Sequence, residues 1–201
     1  MTNAIIYHET AQGFQSISLD DHYFSERILF LTEEVNVQSC SELIKRFKYL
    51  DQLSHKEITL FINSPGGEVT SGLCLYEVIR QAKSPVTCIC IGMAGSMGSI
   101  LYLAGDKRLM YPDSQIMIHD PAAYFGESYA NYGSVKDQLD SLMKIRQRIA
   151  GIIAKRTGQK LETILEYTSK DSFFSAKEAL ELGLAHQIIT STQKGECNYE
   201  Q

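Results

Sequence analysis

An α/β fold is predicted, and three observations predict it. From about residue 26 onward, short β-rich runs alternate with helical patterns, and the first three such units begin roughly 28 residues apart, the spacing of a repeated β–α unit. The strand runs are nearly free of polar interruption, which implies strands covered on both faces. The chain has 201 residues, 44% of them hydrophobic, with no low-complexity linker, so it can bury one sizeable core without staples.

The elements follow in order. The first 25 or so residues mix Gly13, Ser16, Ser18 and Asp20 with Tyr7, Phe14 and Tyr23 and lack periodicity, so an irregular or mobile arm is expected. A strand at 28–31 precedes a helical stretch at about 37–53. A second strand, 58–63, is ended by Ser64-Pro65-Gly66-Gly67, and a helix follows at about 69–82. A third strand, 86–91, leads into the small-residue run Gly92-Met93-Ala94-Gly95-Ser96-Met97-Gly98, which opens another helix. Two short strands are expected near 107–111 and 115–119. Residues 120–132 are turn-like and aromatic. A long amphipathic helix then spans about 135–156, with Val135, Leu139, Leu142, Met143, Ile149, Ile152 and Ile153 on one stripe. That stripe suits either a core helix or one that projects onto a neighbouring subunit. A shorter helix is expected at 161–167. A last one starts at the capping box Ser175-Ala176-Lys177-Glu178 and stops at Gly183.

Composition narrows the function. A net charge of -5 lacks the basic face that nucleic acid or a polybasic membrane anchor would need. No apolar run approaches the ~20 residues of a membrane span. The first residues lack a basic n-region and soon meet Glu9, so no signal peptide is expected and the chain is assigned to the cytoplasm. The cysteines, at 40, 74, 88, 90 and 197, form no CxxC pair and are expected to be small buried hydrophobes in a reducing compartment, with no metal.

Three features can carry chemistry. Ser96 follows a buried strand and opens a helix, where the dipole and free N–H groups suit an acyl-transfer nucleophile; a plain N-cap serine fits the same place. Gly66 and Gly67 end the neighbouring strand. The Gly67 and Met97 N–H groups can then form an oxyanion hole, although Pro-Gly-Gly equally serves a simple turn. His119 closes the apolar run Ile116-Met117-Ile118, as a structural histidine or as the base for Ser96. A base needs an orienting carboxylate, and spacing alone does not choose one.

Ile62-Asn63-Ser64-Pro65-Gly66-Gly67, Gly92-Met93-Ala94-Gly95-Ser96-Met97-Gly98, Met117-Ile118-His119 and Ser175-Ala176-Lys177-Glu178-Ala179 resemble the proteolytic subunit of the Clp protease, the ClpP family. Glu26-Arg27-Ile28-Leu29-Phe30-Leu31 resembles its first core strand. The resemblance covers about 26–190, in order, with a short deletion around Asp106. It implies a ClpP/crotonase-like superhelix of ββα units with a protruding handle helix at about 120–156. Residues 1–25 would be an arm of axial-pore loops and 191–201 a tail. It implies Ser96 as nucleophile, His119 as general base, Asp171 as orienting carboxylate, and Gly67 and Met97 as oxyanion-hole amides. No metal or organic cofactor is implied. The implied assembly is a homo-oligomer of stacked heptameric rings served by an ATP-dependent AAA+ unfoldase. Unfolded polypeptide would lie as an added strand beside 66–69 and 120–126.

The chain departs from the family where it reads His119-Asp120-Pro121-Ala122-Ala123, the family usually having His-Gln-Pro and then a Gly-Gly turn. The family's unfoldase-docking aromatics match positions 59, 61 and 81, here Thr59, Phe61 and Gln81. A weaker unfoldase contact, or a mixed oligomer with a second ClpP-type subunit, is the expectation drawn from that. Two other readings are a non-catalytic scaffold subunit, against which the intact Ser96, His119 and Asp171 count, and a crotonase-type acyl-CoA enzyme.

Overall fold

The computed structural model describes residues 4–10, 13–122 and 131–190. The chain starts with a hairpin. β1 (Ile5–Thr10) and β2 (Gly13–Ser18) pair antiparallel, with Ile6 opposite Ile17 and Thr10 opposite Gly13. The Leu19 N–H closes its open end on the Ala4 carbonyl at 2.9 Å. Ser18 then caps α1 (Leu19–Ser25): its Oγ accepts from the Asp21 N–H, and Asp20 and Asp21 lie in the first turn, where the dipole favours negative charge. The irregular arm expected over the first 25 residues is therefore corrected for the described part. Its regularity comes from cross-strand pairing and a Ser-x-x-Asp cap, which the mixed composition hid.

Three strand–helix units follow: β3 (Ile28–Leu31) and α2 (Val37–Leu53), β4 (Ile58–Ser64) and α3 (Val69–Arg80), β5 (Val86–Gly95) and α4 (Met97–Ala104). β6 (Lys107–Met110) and β7 (Gln115–Ile118) precede α5 (Tyr132–Thr157) and α6 (Leu161–Thr168). β8 (Ser172–Ser175), α7 (Ala176–Glu181) and β9 (Gln187–Ile188) complete the described chain. One seven-stranded sheet runs β3-β4-β5-β6-β9, with β7 on β5 and β8 on β7. Every pairing in it is parallel except β7 with β8. The strands β8 and β9, four and two residues long, were not expected from the sequence, being too short to show a period.

β5 divides the sheet. Its first half pairs with β6, Thr87 to Lys107 through Cys90 to Met110; its second half pairs with β7, Met93 to Gln115 through Gly95 to Met117. β5 thus runs four residues past the expected end at Ile91, into the small-residue run, because β7 supplies a partner there. A turn in which the Ser114 N–H reaches the Tyr111 carbonyl joins β6 to β7.

The core lies between the sheet and its helices. α2 turns Cys40, Leu43, Phe47 and Leu50 inward, and its start is a capping box between Asn36 and Ser39. α4 is buried on every side, which marks it as the central helix. Leu101, Tyr102, Leu103 and Ala104 are all fully enclosed. Two arginines knit the ends together. Arg27 donates to the carbonyls of Leu50, Ser54, Lys56 and Glu57. Arg108, only 2% exposed, donates to those of Arg156, Gly183 and Leu184. Burial lowers the Arg108 pKa to about 10.

Two further expectations are corrected. Coverage on both faces holds over Val86 to Cys90, but β3 and β4 alternate. Phe30 is 42% exposed on the outer side and stacks on Phe61, ring centroids 5.4 Å apart. Tyr23 of α1 meets the Phe30 ring edge-on, centroids 5.1 Å apart, and leaves it only half covered. Cys40, Cys88 and Cys90 are buried as expected, whereas Cys74 is exposed because α3 turns it outward. Burial pushes the Cys88 thiol up to about 12. The long helix is part core and part exposed. Ile149, Ala150 and Ile153 enter the core, whereas Val135, Leu139 and Met143 are 45%, 49% and 54% exposed. The aromatic segment from 123 to 130, Cys197 and the tail at 191–201 lie outside the described residues. Among the described residues, no helix is long and apolar enough to cross a membrane.

Candidate active site

β5 delivers Ser96 and β7 delivers His119, and the pairing of the two strands sets their relation. The ladder that places Gly95 opposite Met117 continues one step, the Ser96 N–H donating to the Met117 carbonyl at 2.8 Å. Two residues on, His119 Nε2 lies 2.8 Å from Ser96 Oγ. On its other edge β7 pairs with β8, Ile118 opposite Ser172. Extending that antiparallel register by one residue sets His119 against Asp171, and their Nδ1 and Oδ1 atoms are 3.1 Å apart. Residues 52 apart in sequence thus meet because two strands share one register. The structure brings together Ser96, His119 and the Asp171 that the family resemblance implied.

Ser96 sits at a sharp strand-to-helix turn. Its φ of 48° and ψ of -119° are unfavourable for a residue with a Cβ. Its carbonyl accepts from both the N–H and the Oγ of Ser99, which holds the turn. Its own side chain caps no helical N–H and is turned to His119 instead, so the plain N-cap alternative does not hold.

The Gly66-Gly67 turn packs directly on this point. A Cβ on Gly66 would meet Gly95 O at 2.6 Å, Ser96 Cβ at 2.7 Å and Met97 N at 2.9 Å. The φ values of Gly66 and Gly67, 99° and 143°, also call for glycine. The Val35 N–H bonds the Gly66 carbonyl and the Glu68 N–H bonds the Val35 carbonyl, at 2.8 and 2.7 Å. This bridge leaves the intervening Gly67 N–H directed away from Val35. The Met97 N–H, first in α4, has no acceptor within its helix. The two N–H groups expected at an oxyanion hole therefore follow the neighbouring ends of β4 and β5, Gly67 next to the Gly66 that packs on Ser96 and Met97 next to Ser96 itself.

Asn63 was not foreseen. The β4–β5 register shifts between Ile62 and Ser64, and Asn63 Oδ1 accepts the Met93 N–H at 3.0 Å where the ladder is interrupted. A polar residue inside an apolar strand was the available signal. Ser64, fully buried, donates to the Glu33 carbonyl at 2.6 Å and accepts from the Gly66 N–H.

A narrow cleft opens beside Ser96 and His119, walled by Val69, Ile100, Ile118, Pro121, Ile149 and Ile153. Its free space is about 20 Å³, room for about one water. Asp171 is the outermost of the three side chains, 65% exposed against 31% for His119. The arrangement suits acyl transfer: a hydroxyl in contact with an imidazole, a carboxylate on the far ring nitrogen, and amides beside the hydroxyl. Among the described residues, no group of three or more His, Cys, Asp or Glu side chains is placed to hold a metal ion.

Comparison with known proteins agrees with this chemistry. The chain matches the Clp protease family over residues 11–192. It is 36% identical over 192 residues to the ATP-dependent Clp protease proteolytic subunit of Deinococcus radiodurans, covering 94% of this chain and 93% of that one.

Proposed function

The chain belongs to the Clp protease family, and on that premise we propose that Ser96 is its nucleophile, His119 its general base and Asp171 the carboxylate that orients the imidazole. As a Clp protease it is a serine endopeptidase, the proteolytic subunit of an ATP-dependent Clp protease. The observation that carries the assignment of residues is the 2.8 Å contact between Ser96 Oγ and His119 Nε2.

Ser96 Oγ attacks the peptide carbonyl while His119 Nε2 accepts its proton. Asp171 holds the imidazole through Nδ1 and stabilises the imidazolium. The negative charge that develops on the carbonyl oxygen is met by the Gly67 and Met97 N–H groups, with the α4 dipole behind the second. His119 then gives the proton to the leaving amine, and water deacylates Ser96 by the same steps in reverse. The apolar walls of the cleft favour an apolar side chain before the scissile bond. An unfolded polypeptide would add as a strand beside residues 66–69 and 120–126, on the side of Gly67 turned away from Val35.

The family works as an oligomer with an ATPase partner. The finer reading for this chain is heptameric rings stacked through the exposed half of α5, in the cytoplasm, with an AAA+ unfoldase docked outside and the β1–β2 hairpin at the axial pore. Phe61 is the aromatic present at the three docking positions, beside Thr59 and Gln81. A weaker unfoldase contact, or a mixed particle with a second ClpP-type subunit, follows from that.

A fluorophosphonate tests the assignment. Mass mapping is expected to find the label on Ser96 and to find it absent from His119→Ala. A fully assembled particle that hydrolyses peptide while Ser96 stays unlabelled would refute it.

A further inference from the structure

Asp120, the residue after His119, joins three elements of the site. Its N–H donates to the carbonyl of Thr168 at 2.6 Å, at the end of α6 and three residues before Asp171. Its Oδ2 accepts from Arg146 Nε of α5 at 2.7 Å. Its Oδ1 is shielded from solvent and has no partner among the described residues. Arg146 precedes by one turn Ile149, which with Ile153 walls the cleft beside Ser96. One side chain therefore links the strand end that carries His119, the helix end that leads to Asp171, and the helix that bounds the cleft.

The chemistry of this pair differs from that of a surface salt bridge. An exposed pair tolerates many geometries and contributes little. Here each side chain is one-third exposed (33% and 33%), and one carboxylate oxygen gives up water without gaining a donor among the described residues. Such a group is held in place by its surroundings at a cost in stability, and it favours one geometry over others. The cleft has room for about one water. A movement of α5 away from Ile118 and Pro121 would widen this cleft for a peptide side chain. That movement would pull on Arg146, and through it on the residue next to His119.

We propose that Asp120 and Arg146 are positioning residues, a latch that keeps His119 and Asp171 aligned with Ser96 while α5 is seated. The proposal rests on the assignment of Ser96, His119 and Asp171 made above. Neither residue touches the reacting atoms; both act through His119.

The test uses the assembled full chain and the variants Asp120→Ala, Arg146→Ala, their double and Arg146→Lys. It reads the rate of fluorophosphonate labelling at Ser96, and kcat and KM on a short unstructured peptide. Each Ala variant is expected to lower labelling and kcat about tenfold with KM changed less than about twofold. The double variant is expected to be no worse than either single, because the two residues act as one unit. Arg146→Lys, which keeps the charge, is expected to recover most of the loss. Wild-type labelling in either Ala variant would overturn the proposal. So would a double whose loss is the product of the singles, or a loss found only where the particle dissociates, which makes the pair an assembly contact. If Asp120→Ala does not fold, Arg146→Ala and Arg146→Lys carry the same comparison. A wild-type particle that labels anywhere but Ser96 overturns the assignment of the site itself, and this proposal with it.

Discussion

Ser96 holds a backbone conformation that costs a residue with a Cβ about 1–3 kcal/mol. The strand ladder, the Ser99 bonds and the packing of Gly66 enforce it, and it aims the hydroxyl at His119. Activity and stability are therefore opposed at this position. Ser96→Ala and Ser96→Gly should both abolish hydrolysis. Thermal or denaturant unfolding should find the glycine variant the more stable of the two by about 1 kcal/mol, since only glycine relieves the strain. Equal stabilities would show that the turn is unstrained. Ser96 and His119 stood out in the sequence as candidates because each closes a buried strand, beside the plainer readings of a helix cap and a structural histidine. Asp171 did not, except through resemblance to a family: its partner is 52 residues away, and the strand that aligns them is four residues long. The Asp120–Arg146 pair was hidden for the same reason, a helix residue and a strand-end residue 26 apart having no period in common.

Among the elements, α5 is divided between two environments. Its C-terminal half packs in the core, and its N-terminal half carries Val135, Leu139 and Met143 at helical spacing with Tyr132, 83% exposed, at the start. A stripe of that kind on a solvated helix suits a contact with another subunit, as the proposed stacking through α5 requires. Leu139→Asp should leave the monomer's circular dichroism and melting temperature unchanged, since the side chain makes no core contact. Sedimentation should show a smaller particle than the wild type. A particle of unchanged size would place the subunit contact elsewhere. The sequence placed most of the strands and helices within a few residues, because strong period and clear caps coincide there: Val37–Leu53 lies where the pattern puts it, and Ser175 with Glu178 forms the expected box. It misplaced elements whose order comes from pairing alone. The hairpin β1–β2 and the last four residues of β5 are ordered by a neighbouring strand, and a single stretch of sequence does not contain its neighbour.

At the scale of the whole molecule, the last described strand closes one side of the sheet. β9 pairs with β6, and His186 Nδ1 accepts the Arg108 N–H, a role open to the uncharged ring alone. Desolvation, with the nearby Arg108 and Arg156 charges, holds the His186 pKa below its ordinary value. A histidine depressed in the folded state contributes stability above the unfolded pKa of about 6.5, and that stability is lost as pH falls through the folded value. Unfolding measured from pH 8 downward should therefore show a shallow loss beginning near pH 6.5, absent from His186→Gln, which keeps an acceptor. A slope that persists in the variant would assign it to another group. The uncovered half of α5 has a further consequence, one of mass action. If that apolar face is the proposed subunit contact, each newly made chain presents it to water until other chains reach it. If the particle is the working form, dilution removes working enzyme without unfolding any chain. Activity per chain would then rise with the number of chains present, and a cell making few of them would hold intact subunits and little protease.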